Sequence, residues 1–171
     1  MNRQVLEFNG NVFETAVQQT LAREFPDAVI LHDKKVYSSY LKKDTQIDLV
    51  MIDSYGVFVI EAKGWKQWIK GNVGDVYWSG KSQGKDPMKV FSPLDQNFIH
   101  VRALRNSVRR LGYEPPIFWN VLCVPDGIAI YSDCDMLCNR SMLAHVIRRL
   151  EKKCSERIDV AGFAELVRMA E

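Results

Sequence analysis

The stretch QIDLVMIDSYGVFVIEAKG, residues 46–64, decides the reading of this chain. Two apolar runs, residues 46–52 and 57–63, flank the turn signal Asp53-Ser54-Tyr55-Gly56 and predict an antiparallel hairpin. If Asp53 and Gly56 close the turn, Asp48 falls opposite Glu61 and Gln46 opposite Lys63. Alternation then points Asp48, Glu61 and Lys63 to one face. A one-residue slip would undo this arrangement, so the site depends on the register. The other residues of that face, Val50, Ile52, Val57 and Val59, are apolar, as is nearly all of the opposite face. The hairpin is therefore expected at the centre of a sheet covered on both sides. Two facing carboxylates in such a place repel one another and resist desolvation, and they need a cation, a proton or the Lys63 ammonium.

Working outward, residues 11–25 repeat Phe13, Val17, Leu21 and Phe25 at helical spacing and end at Pro26, which predicts an amphipathic helix. Residues 28–31 read as a first strand, residues 34–44 as a polar segment ending in a loop, and residues 73–79 as a further short strand. Ser92, Pro93 and Asp95 combine an N-cap, a first-turn proline and a capping acid. The helix they open carries the stripe Leu94, Phe98, Val101, Leu104, Val108 and Leu111 up to Gly112. Residues 117–124 and 127–131 look like a strand pair, and helices over about 142–153 and 161–170 follow. The class is α/β or α+β with a mixed sheet.

With 171 residues, 47% of them hydrophobic, the chain suits one domain with a full core, about 10–131 plus C-terminal helices over about 139–171. A charged fraction of 26% without blocks of one sign argues against a disordered or tail-driven binder, and a net charge of +2 permits a nucleic-acid partner without requiring one. MNRQVLEFNG has no apolar export segment and no run has membrane-span length, so a cytoplasmic location and no membrane partner are expected. Cys123, Cys134, Cys138 and Cys154 lack paired metal-binding spacing, which predicts reduced structural thiols.

Two readings of the hairpin charges stay open on spacing alone. In one, Glu14, at the edge of the core-facing stripe of the first helix, adds a third carboxylate to Asp48 and Glu61. Such an oxygen-only set, without a histidine cluster, suits Mg²⁺ or Mn²⁺. In the other, Lys63 forms a buried ion pair with Asp48 or Glu61 and Glu14 is solvated.

Asp48 followed by Glu61-Ala62-Lys63 resembles the D…ExK core of the PD-(D/E)XK nuclease superfamily. The wider pattern resembles the NERD (nuclease-related domain) family: residues 10–14 on the first helix, Gln46-Ile47-Asp48, GVFVIEAK at 56–63, and a helix with Pro93, Gln96 and His100. The likeness runs over about residues 10–110. Ser92 stands where the family often has Asn, and WKQWIKGNVGDVYWSG at 65–80 matches its tract only loosely.

The resemblance implies a restriction-endonuclease-like mixed sheet flanked by helices and a Mg²⁺- or Mn²⁺-dependent nuclease acting on nucleic acid, DNA more than RNA. It implies Asp48, Glu61, the Ala62 carbonyl and Glu14 as metal ligands, Lys63 as the group that orients water and offsets phosphate charge, and Gln96 as a polar neighbour of the metal site. A module that keeps this fold and binds without cleaving is the alternative. Arg102, Arg105 and Arg109, with Arg110, lie on one flank of the Gln96 helix and either track phosphates or form a solvated face. Trp65 and Trp68, beside Lys66 and Lys70, either stack on unpaired bases or pack as core. His100 is expected to support the site, whereas His32 and His145 have no partner evident in the sequence.

Overall fold

The structure is a computed structural model describing residues 3–82, 84–114 and 116–170, with side chains described from residue 12 onward; the side chain of Asn11, in the 10–14 motif, and both ends of the expected 1–171 unit lie outside the described residues. Helix α1 (Arg3–Glu24) precedes β1 (Val29–Ser38), β2 (Lys43–Asp53) and β3 (Gly56–Ala62). Three short strands follow, β4 (Trp68–Lys70), β5 (Tyr77–Lys81) and β6 (Met88–Phe91), then α2 (Pro93–Arg110). The remaining described elements are β7 (Phe118–Val124), β8 (Ala129–Tyr131), β9 (Leu137–Asn139), a short 3₁₀ turn (Arg140–Met142), α3 (Leu143–Glu151) and α4 (Val160–Met169).

The predicted hairpin forms in the predicted register, with Leu49 paired to Ile60 and Asp53 to Gly56. Asp53 fixes the turn through Oδ1, which accepts the amide hydrogens of Tyr55 at 2.7 Å and Gly56 at 3.1 Å. Position 56 needs glycine because a Cβ there would lie 2.9 Å from the carbonyl oxygen of Ile117. The main sheet runs β1-β2-β3-β7-β9, with β3 parallel to β7 and β7 parallel to β9.

Both faces of this sheet are covered, as alternation along β2 and β3 requires. Val50, Ile52, Val57 and Val59 pack against Val101, Leu104 and Val108 of α2 and Phe163 and Val167 of α4. Leu49, Met51, Phe58 and Ile60 pack against Val17 and Leu21 of α1 and Leu143, Val146 and Ile147 of α3. Asp48 and Glu61 continue the α2 face toward the C-terminal end of β3.

Helix α2 begins as predicted, with Ser92 Oγ accepting the Asp95 amide hydrogen at 3.2 Å. Its buried face differs from the apolar stripe. Phe98 and Leu111 are exposed, while Asn97, His100 and Ser107 are buried. Asn97 takes an inward place because its amide donates to Val59 O at 2.9 Å and to Asn120 Oδ1 at 2.7 Å, tying the helix to β3 and β7. Asn97→Ala should therefore destabilise the fold by about 2–4 kcal/mol, since it strands buried acceptors and leaves a void. Chemical denaturation with an unchanged m-value would check this.

A second sheet, β6-β5-β4-β8, packs over Ile69, Trp78, Leu122 and Ile128. Four expectations are corrected here. The polar segment 34–44 is largely strand, because β1 continues to Ser38 and β2 starts at Lys43. The strand expected at 73–79 begins at Tyr77. Residues 117–124 and 127–131 do not pair with each other: β7 joins the main sheet and β8 pairs with β4. The β2–β3 ladder ends at Leu49–Ile60, so neither Asp48–Glu61 nor Gln46–Lys63 is a ladder pair; Asp48 Oδ2 instead accepts the Ala62 amide hydrogen, and Lys63 N donates to Cys123 O of β7.

Candidate active site

Strand β3 is buried along its whole length, so Glu61 reaches the site with 1% of its surface exposed. A carboxylate there keeps its charge only beside groups that offset it. Lys63 Nζ lies 2.5 Å from its Oε1, and His100 Nδ1, on α2, lies 3.3 Å from its Oε2. Burial pushes the Glu61 carboxyl up, but His100 and Lys63 together outweigh it and hold the group below its ordinary value. The His100 approach is an ion-pair distance only; neither Nδ1 nor Oε2 completes a hydrogen bond, so Oε2 is a buried oxygen with acceptor capacity to spare.

Asp48 has the opposite electrostatic fate. Its Oδ2 accepts the Ala62 amide hydrogen at 2.9 Å, which ties β2 to β3 beyond the Leu49–Ile60 pair. Burial first, and then the charge of Glu61, push its carboxyl up to about 7, with the Ala62 hydrogen bond working against them. Glu61 takes most of the positive charge, and Asp48 is left short of it.

Lys63 Nζ also donates to Gln96 Oε1 at 3.2 Å, so α2 supplies both Gln96 and, one turn on, His100. Glu14 comes from α1 on the other side of the sheet and is felt electrostatically by Asp48. Its own carboxyl is raised by burial and by Asp33. His32 stands between these two acids, Nε2 at 3.6 Å from Glu14 Oε2 and Nδ1 at 2.8 Å from Asp33 Oδ2. Among the described residues, Glu14, His32 and Asp33 bring ligand atoms within 4.8 Å of one another. Gln46 donates to Asp33 Oδ1 at 2.5 Å.

The partners of His32 were not evident from the sequence because a first strand ending at Leu31 leaves it off the sheet. With β1 continuing, His32 pairs with Leu49, next to Asp48. Val36 and Tyr37, a β-branched and an aromatic residue beyond the polar stretch 32–35, are the signal that extends the strand.

The donors gathered here fit a hard divalent cation. Asp48 and Glu61 offer carboxylate oxygens, one of them buried without a hydrogen bond, which a cation would satisfy, whereas Glu14 groups with His32 and Asp33, a set that includes an imidazole nitrogen. Arg102, Arg105 and Arg109 are exposed on α2, and Arg109 pairs with Glu114 at 3.1 Å. Trp65 packs on Gly80, where an added Cβ would strike its ring, so packing accounts for Trp65, while Lys66 is exposed.

A family model described as nuclease-related domain matches residues 9–125. The chain belongs to that family. The match takes in the whole β2–β3 hairpin and α2, so every residue of the Asp48, Glu61, Lys63, Gln96 and His100 group lies within the nuclease-related domain. An uncharacterized protein of Bacillus anthracis is 31% identical over 106 residues, covering 61% of this chain and 49% of that protein. The match thus spans about half of that relative's length. No solved structure matches the chain. Among the described residues, no helix is long and apolar enough to cross a membrane.

Proposed function

We propose that this nuclease-related domain is a divalent-cation-dependent nuclease that hydrolyses phosphodiesters, DNA before RNA, acting in the cytoplasm as one unit over residues 1–171. The observation that carries the proposal is the meeting of Lys63 with Glu61 and Gln96 beside Asp48, a cationic group poised among carboxylates at the end of a buried strand. Asp48, Glu61, the Ala62 carbonyl and Glu14 would hold Mg²⁺ or Mn²⁺. The bound cation would supply the Lewis acidity that activates water and polarises the phosphoryl oxygen.

The chain's own residues do the rest. Lys63, partly exposed, presents its ammonium to the entering phosphate and offsets charge as it develops there. Gln96 and Glu61 hold Nζ from two sides, which fixes its position before substrate arrives. His100 stands 3.3 Å from the second oxygen of Glu61 and limits the room into which the carboxylate can swing. A non-cleaving binding module is the second reading, favoured by the pairing Glu61 already has with Lys63 and His100.

Incubation with labelled linear, nicked, branched and single-stranded substrates in Mg²⁺, Mn²⁺ or chelator tests the proposal. Cleavage that needs the ion is expected, with Ca²⁺ supporting binding but not turnover. Metal-independent cleavage that survives repurification, or binding without cleavage of any substrate, would overturn it. If Arg102, Arg105 and Arg109 meet phosphates, neutralising them together should flatten the slope of log K against log salt by about 1 per lost contact. An unchanged slope in the triple variant would return them to a solvated face.

A further inference from the structure

A groove of about 360 Å³ lies beside the site, between the tip of the β1–β2 hairpin, the end of β6 and one flank of α2. Its walls carry aromatic rings that folding leaves in water: Tyr40 is 68% exposed, Phe98 52% and Phe91 45%. Rings of this size are ordinarily buried, and three around one groove make a platform with no internal use.

What suits the platform is written along α2. Phe98, Arg102, Arg105 and Arg109 follow one another at helical spacing, so a ring at the groove is continued by a row of exposed guanidiniums. Flat apolar faces next to a cationic row complement a strand whose bases are unpaired and whose backbone is anionic. A duplex hides its base faces and has no use for the rings. Ile99 and Ala103, three and seven residues after Gln96, put one wall of the groove on the flank of α2 that also carries Gln96, whose side chain holds Lys63. The groove wall mixes apolar Val76, Ile99 and Ala103 with polar Ser38, Ser39, Asp95 and Asn106, so the choice of DNA follows from the nuclease reading rather than from the wall.

We infer that this groove binds unpaired DNA, stacking its bases on Phe98, Tyr40 and Phe91 beside the cationic row that Arg102 begins. The inference rests on the nuclease reading and narrows its substrate to DNA with a single-stranded portion. The test is binding of a single-stranded DNA of about twelve nucleotides containing 2-aminopurine, whose fluorescence falls on stacking, measured with the full chain in chelator so that nothing is cut. Wild type should quench the probe. Phe98→Ala and Tyr40→Ala should each weaken binding about tenfold and remove most of the quenching, while Phe98→Tyr restores both. Because these rings are exposed, melting temperatures of the variants should match wild type.

Equal binding and quenching by Phe98→Ala, preference for duplex, or tighter binding of the matching RNA would each overturn the inference. So would a change of oligomeric state on Phe98→Ala, which would assign the rings to a second copy of the chain. Cleavage by wild type with unaltered quenching in the variants would overturn the groove alone, whereas absence of both binding and cleavage on every substrate would overturn the nuclease reading with it.

Discussion

Lys63→Met is expected to slow cleavage by about 10²–10³-fold while the protein still responds to Mn²⁺. The ammonium stands against Glu61 and Gln96 on a partly exposed side chain, so methionine removes positive charge from the phosphate's approach and leaves the carboxylates in place. Without metal the variant should also be less stable, by about 1–3 kcal/mol, because buried Glu61 then has only His100 opposite it. A divalent ion relieves that deficit, and the Mn²⁺-induced rise in melting temperature should be at least as large as in wild type. Single-turnover cleavage and melting curves on the same preparation separate the two effects. Cleavage at the wild-type rate would reduce Lys63 to a structural partner of Glu61.

Asp48→Asn should abolish turnover, by about 10³-fold or more, and stabilise the metal-free protein at pH 8. The amide oxygen can still accept the Ala62 hydrogen bond, so the tie between β2 and β3 survives. What disappears is a buried charge whose desolvation and repulsion by Glu61 outweigh the help it gets from the Ala62 amide and from Lys63. Because the folded-state carboxyl is pushed up from 3.8 to about 7, the folded protein binds the proton more tightly than the unfolded chain. This group's contribution to stability is therefore most favourable at low pH, is lost as pH rises between about 4 and 7, and changes little above. The variant should lack that component, gaining on the order of 2–4 kcal/mol over wild type at pH 8 and little at pH 4. Denaturation of both proteins across that range measures it, and a variant less stable than wild type at pH 8 would contradict it.

The hairpin was legible because its two signals are local. Asp53 and Gly56 announce the turn, and the unbroken apolar run on both sides of it announces a strand covered twice. With the register in hand, Asp48, Glu61 and Lys63 could only converge. Other features depend on partners distant in sequence. The inward face of α2 uses Asn97, which β3 and β7 hold, His100, which faces Glu61, and Ser107, which accepts from Arg110, so a hydropathy stripe assigned Phe98 to the core in their place. Strands β4, β8 and β9 are three residues each, too short to show a period, and are defined by what they pair with. His32 and Asp33 join the site only because β1 continues past Leu31 and lies against β2.

The central claim is that Asp48 and Glu61 form a centre built for a divalent cation, and four melting curves test it most directly: wild type and Asp48→Asn at pH 8, each with and without millimolar Mn²⁺. An ion at a hundredfold excess over its Kd adds about 2.7 kcal/mol to the native state, which in a domain of this size raises the melting temperature by about 5–10 °C. Wild type should show that rise, and Asp48→Asn should start higher without metal and gain almost nothing from it. No Mn²⁺ shift in wild type, together with a metal-free Asp48→Asn that melts below it, would mean that Lys63 and His100 already complete the site as a structural ion pair.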